Sequence, residues 1–257
     1  MKKKLGYLSH FYIYHYLKLA FRIALFGSTL ALYIKGKLEG ASMPFGEEGS
    51  HPLFWSFWWF FLLLGMILRL FPSKFETIGC QKQLKRNYIP TGEKEPRLTS
   101  GKATFIFAAL WIGVNVIFGI LYLTDVIDAE ILLLLTFAYG VCDIVCILFF
   151  CPIRDLFLKN KCCADCRIYN WDYAMMFTPF IFIPHIYTWS LLGFSLILLA
   201  VWEIMYKRYP ERFAKNTNAS LACQNCKERP CRHKRRIERI LKSGKDKLSK
   251  LTWWKQK

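Results

Sequence analysis

No glycine-rich phosphate loop, Gly-x-Ser-x-Gly elbow, His-Glu-x-x-His pair or Cys-x-x-Cys-His run occurs anywhere in the sequence. Nucleotide cradling, serine-hydrolase, zincin and attached-haem chemistry therefore have no footing in it. The ferredoxin cysteine runs are missing too, as is the Asp-His-His-Cys tetrad of the membrane acyltransferases that carry a zinc-stabilised segment. No repeat at a fixed period is present, which sets aside solenoids and propellers.

Acidic residues are scarce: 18 Asp and Glu stand against 36 Lys and Arg, a formal charge of +18. Yet 54% of the 257 residues are hydrophobic, so the basic and apolar residues must be segregated along the chain. Apolar windows at 52–71, 103–124, 129–150 and within 173–206 reach the roughly 20 residues that a bilayer span needs. The start, MKKKLGYLSH, is basic, but Lys18 and Arg22 interrupt the apolar run after it and no small-residue cleavage site is present. It reads as a retained segment, with 17–34 as a further span or an interfacial helix whose two cations snorkel.

The bias of Lys and Arg sets the orientation. Segment 72–102 holds seven Lys or Arg, and 207–257 holds seventeen against four Asp or Glu, so both read as cytoplasmic. The connection with Asp125, Asp128 and Glu130 has no cation and reads as external, together with 35–51. Parity closes only if 173–206 crosses twice or dips in and out. Pro179 and Pro184 each remove a backbone donor and disfavour helix before them, which predicts a short arm at 173–183, spanning or re-entrant, and a full span at 187–206. The expected fold is an all-α polytopic membrane protein with about six membrane segments. Residues 1–206 form the membrane domain and 207–257 a basic tail, whose 207–233 part pairs with loop 151–172 in a small cysteine-rich unit. Both termini are expected in the cytoplasm, and the plasma (inner) membrane is the expected location.

None of the ten cysteines falls on a segment read as external. Structural disulfides belong to oxidising compartments, so this distribution points to reduced thiols serving a metal or redox chemistry. Two Cys-x-x-Cys pairs, Cys163 with Cys166 and Cys223 with Cys226, have the spacing that puts two thiolates on adjacent corners of a tetrahedron. Together they would make a four-thiolate site for zinc or an iron–sulfur cluster, with Cys162, Cys231 and Cys151 as spare ligands. The 56 residues between the pairs exceed the gap of a zinc ribbon and contain the last membrane passage.

Asp143 lies within a span, where a carboxylate faces protein, interfacial water or a partner. His185 follows Pro184 at the bend and is either a local hydrogen-bonding group or a proton carrier. Glu203 is expected to pair with Lys207 one turn on. Asn170 or Asp172 is expected to cap a helix that Trp171 anchors at the interface. In the tail, Ile237, Ile240, Leu241, Leu248 and Leu251 recur at helical intervals among cations, followed by Trp253 and Trp254. That pattern suits anionic lipid headgroups, and without a nucleic-acid-binding motif it does not suit DNA or RNA. The function expected is an integral membrane protein with a cytoplasmic thiolate metal centre, a membrane redox protein in one reading. The alternative is a transporter or scaffold with a structural zinc staple.

Overall fold

A computed structural model of the chain describes residues 10–39, 52–71, 80–98, 101–152, 166–226, 230–237 and 239–240. Among these the architecture is helical, and the nearest approach to a strand is an isolated bridge between Pro90 and Asn218. The helices are α1 (His10–Glu39), α2 (Pro52–Arg69), α3 (Cys80–Gln83), α4 (Gly101–Leu123), α5 (Ala129–Leu148), α6 (Asp172–Phe177) and α7 (Ile186–Arg208). Four of them, α1, α4, α5 and α7, are long and apolar enough to cross a membrane; α2 is a shorter apolar helix. Over its 18 residues α2 extends about 27 Å at 1.5 Å per residue, close to the ~30 Å of a hydrocarbon core.

Side-chain contacts fix which ends lie together. Phe11 at the start of α1 packs with Ile147 and Leu148 at the end of α5, and Lys37 near the end of α1 meets Asp128, the N-cap residue of α5, at 2.5 Å. These two helices are therefore antiparallel. Helices α2 and α7 run parallel, with the Ser56 and Tyr187 hydroxyls 2.8 Å apart and Trp59 Nε1 donating to Ser190 Oγ at 2.8 Å.

Between them runs the proline-broken segment, and its construction is unusual. Short 3-10 helices, Arg167–Trp171 and Thr178–Phe182, flank α6, giving sixteen consecutive helical residues. A 3-10 helix rises about 2.0 Å per residue, so the segment extends roughly 29 Å where an α-helix of that length would extend about 24 Å. Pro179, second in its 3-10 turn, lacks the donor that a continued α-helix would use there. The segment is largely interior, with Tyr173, Ala174, Met176, Phe177, Pro179 and Phe180 buried. It descends along α4: Ile168 clusters with Phe107, Trp111 Nε1 donates to Thr178 Oγ1 at 3.3 Å, and the Phe182 ring fills the place of a side chain at Gly119. On the α5 side a Cβ at Gly140 would stand 2.8 Å from Met176 Cε. Small residues thus let an irregular segment lie against straight helices. The outer face of α4 shows Phe105, Ile106, Leu110, Ile112, Val116, Ile117 and Ile120, a surface suited to lipid rather than water.

Where α2 and α7 end, residues 209–226 dock on 80–98 through backbone and Asn side chains. Thr91 N donates to Thr217 O at 3.3 Å and Ala219 N to Ile89 O at 2.8 Å. Asn218 is fully buried, its amide donating to Lys82 O and Arg212 O and its oxygen accepting from Ser220 N. The tail unit among the described residues is thus built on 80–98. Of loop 151–172, the partner expected from the sequence, residues 153–165 lie outside the described residues. So do Cys162, Cys163 and the amphipathic stretch from 241 onward.

Candidate functional site

Charge is concentrated deep in the bundle. Arg22 on α1 donates from Nη1 to Asp143 Oδ2 on α5 at 2.7 Å and to Gly140 O at 2.6 Å, with only 2% of its side chain exposed. Snorkelling was expected of Arg22 only if 17–34 lay in the interface; it points inward, because Asp143 lies on the facing helix and a guanidinium paired there avoids the cost of an isolated intramembrane charge. Asp143 Oδ2 in turn is met by protein.

A second pair joins Arg69, the last residue of α2, to Asp172, the first of α6, and Arg69 Nη2 also donates to Tyr169 O at 3.1 Å. The expectation that Asp172 or Asn170 caps a helix is therefore wrong. Asp172 is committed to Arg69, Asn170 donates to Gln83 Oε1 at 2.9 Å, and α6 begins without a side-chain cap because it continues from the 3-10 turn before it. Asp172 Oδ1 is buried without a hydrogen-bond partner. Tyr173 sits between the two pairs, its ring 5.2 Å from Lys18 Nζ and 5.6 and 5.5 Å from the guanidinium carbons of Arg22 and Arg69. Its hydroxyl occupies the space over Gly65, where a Cβ would lie 2.9 Å away.

On one side of this cluster lies a cavity of about 140 Å³, walled by Cys142, Asp143, Cys146, Cys151, Cys166 and Asp172, with Met175, Met176 and aromatic residues completing it. Cys146 and Cys151 are in side-chain hydrogen-bond contact. Cys166 is buried and Cys142 is exposed, and no cysteine with a described side chain is in a disulfide. On the other side a cavity of about 330 Å³ between α1 and α2 is lined by Tyr14, Lys18, Arg22, Tyr173 and apolar residues.

The tail cysteines lie elsewhere at the same end. Cys223 is exposed on the 3-10 turn Cys223–Asn225, and Lys82 Nζ is 3.7 Å from Cys226 Sγ. Cys231 packs against the cluster of Phe11, Ile144, Ile147, Leu148 and Leu221. The helical turn α3 links the two cysteine-bearing regions: Gln83 receives Asn170, four residues after Cys166, while Lys82 receives Asn218 and Ser220 and touches Cys226. Among the described residues no three His, Cys, Asp or Glu side chains converge on one metal position.

His185 is the N-cap of α7, its Nδ1 accepting from Tyr187 N at 3.3 Å while its own N–H donates to Thr188 Oγ1 at 3.2 Å, a local hydrogen-bonding role of the kind expected. One further expectation changes. Glu203 pairs with Arg167 and accepts from Trp171 Nε1 at 2.7 Å, not with Lys207 on its own helix, because the 3-10 turn delivers a guanidinium and an indole to its face. Sequence reasoning did not single out Arg69. Arg69 at the end of an apolar run was the available signal.

No family model, curated protein or solved structure matches the chain. The class that the fold defines is a helical bundle with, among the described residues, four helices long and apolar enough to cross a membrane.

Proposed function

We propose that the chain is a six-crossing integral membrane protein of the plasma membrane with both ends cytoplasmic. Its cytoplasmic end carries a thiolate metal centre, zinc or an iron–sulfur cluster, held by Cys163, Cys166, Cys223 and Cys226. Cys162, Cys231 and Cys151 are reserve ligands, and the distal tail lies on anionic headgroups. The observation that carries this reading is the shared docking on α3, where Asn170 and Cys226 meet adjacent residues, Gln83 and Lys82. That brings the Cys166 loop and the Cys223–Cys226 turn to one end of the bundle, across a 56-residue gap that contains the last helix.

Crossing number is supported by the roughly 29 Å reach of the 3-10-extended segment, which satisfies the parity that the basic loops require. With iron in the centre the protein is a membrane redox protein that passes electrons at its cytoplasmic face. With zinc the centre is a clasp between loop and tail, and the buried ion pairs then favour a transporter.

Absorbance spectra with iron and zinc analysis of anaerobically purified protein test this. Near-stoichiometric metal that is lost in the Cys223→Ser/Cys226→Ser variant is expected. A brown iron band selects the redox reading, and colourless zinc selects the clasp. Full metal retention in that variant overturns the shared centre.

A further inference from the structure

The cavity of about 330 Å³ between α1 and α2 joins a cationic floor to an apolar rim. Tyr14, Lys18 and Arg22 recur at four-residue intervals and so stand on one face of α1, with Leu17 and Phe21 beside them. From α2 come Phe61, Leu62 and Gly65, and Gly65, lacking a side chain, admits the Tyr173 hydroxyl to the lining. One end is closed: the Phe21 ring packs on Trp58 and Phe61, with centroids 4.6 and 5.7 Å apart, so α1 and α2 touch there. Leu17 and Phe61, 66% and 42% exposed, form the outward-facing edge.

Charge is unbalanced at this place. Around Tyr173, Lys18, Arg22 and Arg69 carry three positive charges, and Asp143 and Asp172 two negative ones. A cation left over within a membrane is costly unless an anion or water meets it. Arg22 is almost wholly buried, and among the described residues both of its hydrogen bonds leave from Nη1. Nε and Nη2 are its remaining donors where it lines the cavity.

We propose that the cavity holds the headgroup of one anionic phospholipid, its phosphodiester between Lys18 and Arg22 and its acyl chains running out over Leu17 and Phe61. A monoanion cancels the surplus charge, whereas a zwitterionic headgroup brings its own ammonium against the same cations. The depth agrees. The 30 residues of α1 extend about 45 Å, some 15 Å more than a hydrocarbon core, and Lys18 lies about 12 Å from the His10 end. In a centred helix that is about one turn inside the boundary, within reach of a headgroup. The volume is near the roughly 300 Å³ at which small-molecule sites begin, enough for a headgroup while the chains stay in the bilayer. A free anion would make no use of the apolar rim. Which leaflet supplies the lipid follows from the orientation proposed above; the site itself does not depend on it.

The test uses the full chain in dodecyl maltoside, titrated with dioleoyl phosphatidylglycerol or dioleoyl phosphatidylcholine. Washing at about 0.5 M salt screens the surface attraction of the basic tail, and bound lipid is counted by mass spectrometry. The wild type should retain one phosphatidylglycerol per chain. Phosphatidylcholine on wild type, and phosphatidylglycerol on Lys18→Gln, should each bind roughly fivefold more weakly, the share of one charge at a headgroup. Lys35→Gln, at the far end of α1, should leave retention unchanged. Equal binding of the two lipids by wild type, or undiminished binding by Lys18→Gln, overturns the site. Displacement of the lipid by millimolar inorganic phosphate overturns it in favour of a free-anion site. Should Lys18→Gln fail to fold, the comparison of the two lipids on wild type decides alone.

Discussion

Replacing Arg22 with alanine removes the guanidinium and leaves the Asp143 carboxylate facing the bundle interior, 18% exposed, with no cation at contact distance on that oxygen. For charge centres about 4 Å apart at an effective dielectric near 20, the lost attraction is about 4 kcal/mol. Breaking a buried pair from one side costs roughly 3–5 kcal/mol, because the remaining charge stays uncompensated. For a chain of this size each kcal/mol moves the unfolding midpoint by about 2–4 °C, so Arg22→Ala should lower Tm by roughly 6–20 °C. The pair itself is a different quantity. Arg22→Met combined with Asp143→Leu removes both charges, keeps the volume, and should recover most of the loss. Thermal unfolding in a fixed detergent, followed by loss of monodispersity and of helical signal, completes the double-mutant cycle. If Arg22→Ala stays within about 1 kcal/mol of wild type, or the double variant is no more stable than the worse single, the two charges are not coupled inside the bundle.

The same geometry has three further testable consequences. Glu203→Gln should cost about 1–2 kcal/mol by weakening the bonds from Arg167 and Trp171, while Lys207→Ala leaves Tm unchanged; the reverse order would restore the helix-internal pairing. Gly119→Val should destabilise by about 1–3 kcal/mol, since the Phe182 ring already fills that space, whereas the same change at Gly113, which has nothing nearby, should not; parallel midpoints for the two would contradict the close approach. His233 shares a 3.2 Å hydrogen bond with Tyr16 and stacks near Tyr12, and burial, then Arg236, holds its pKa below the ordinary 6.5. The undocked state therefore binds more protons, so docking of 230–237 on α1 is fully present at higher pH and weakens as pH falls below about 6.5. The protection of amides at 230–237, taken against their intrinsic exchange rate at each pH, should fall between pH 7 and pH 5 in wild type and lose that pH dependence in His233→Gln.

The helices were legible in the residues because apolar runs near 20 residues long have few folded alternatives, and their boundaries agree to within a few residues for α4, α5 and α7. Pro179 and Pro184 located the break in 173–206 for a local reason, the missing donor and restricted backbone. Local spacing marked a bend at Pro184 and His185 but not the cap that His185 forms. It did not show that the break is bridged by 3-10 turns, because that extension is set by the distance the segment must cover beside α4.

Pairing across helices was decided by tertiary structure alone. Lys18 and Arg22 look like snorkelling cations until α5 presents Asp143 at the same depth, and Arg69 looks like a terminal anchor until Asp172 arrives from a segment 103 residues away. Glu203 chose Arg167 over its own-helix neighbour for the same reason. The Cys-x-x-Cys spacing singled out four cysteines, whereas Cys142, Cys146 and Cys151, scattered across a helix and the chain beyond it, become one wall only when α5 packs against the Cys166 segment. A sequence carries periodicity and breakers locally, but which buried charge meets which, and which thiols share a cavity, depends on rotations and depths that only the packed bundle fixes.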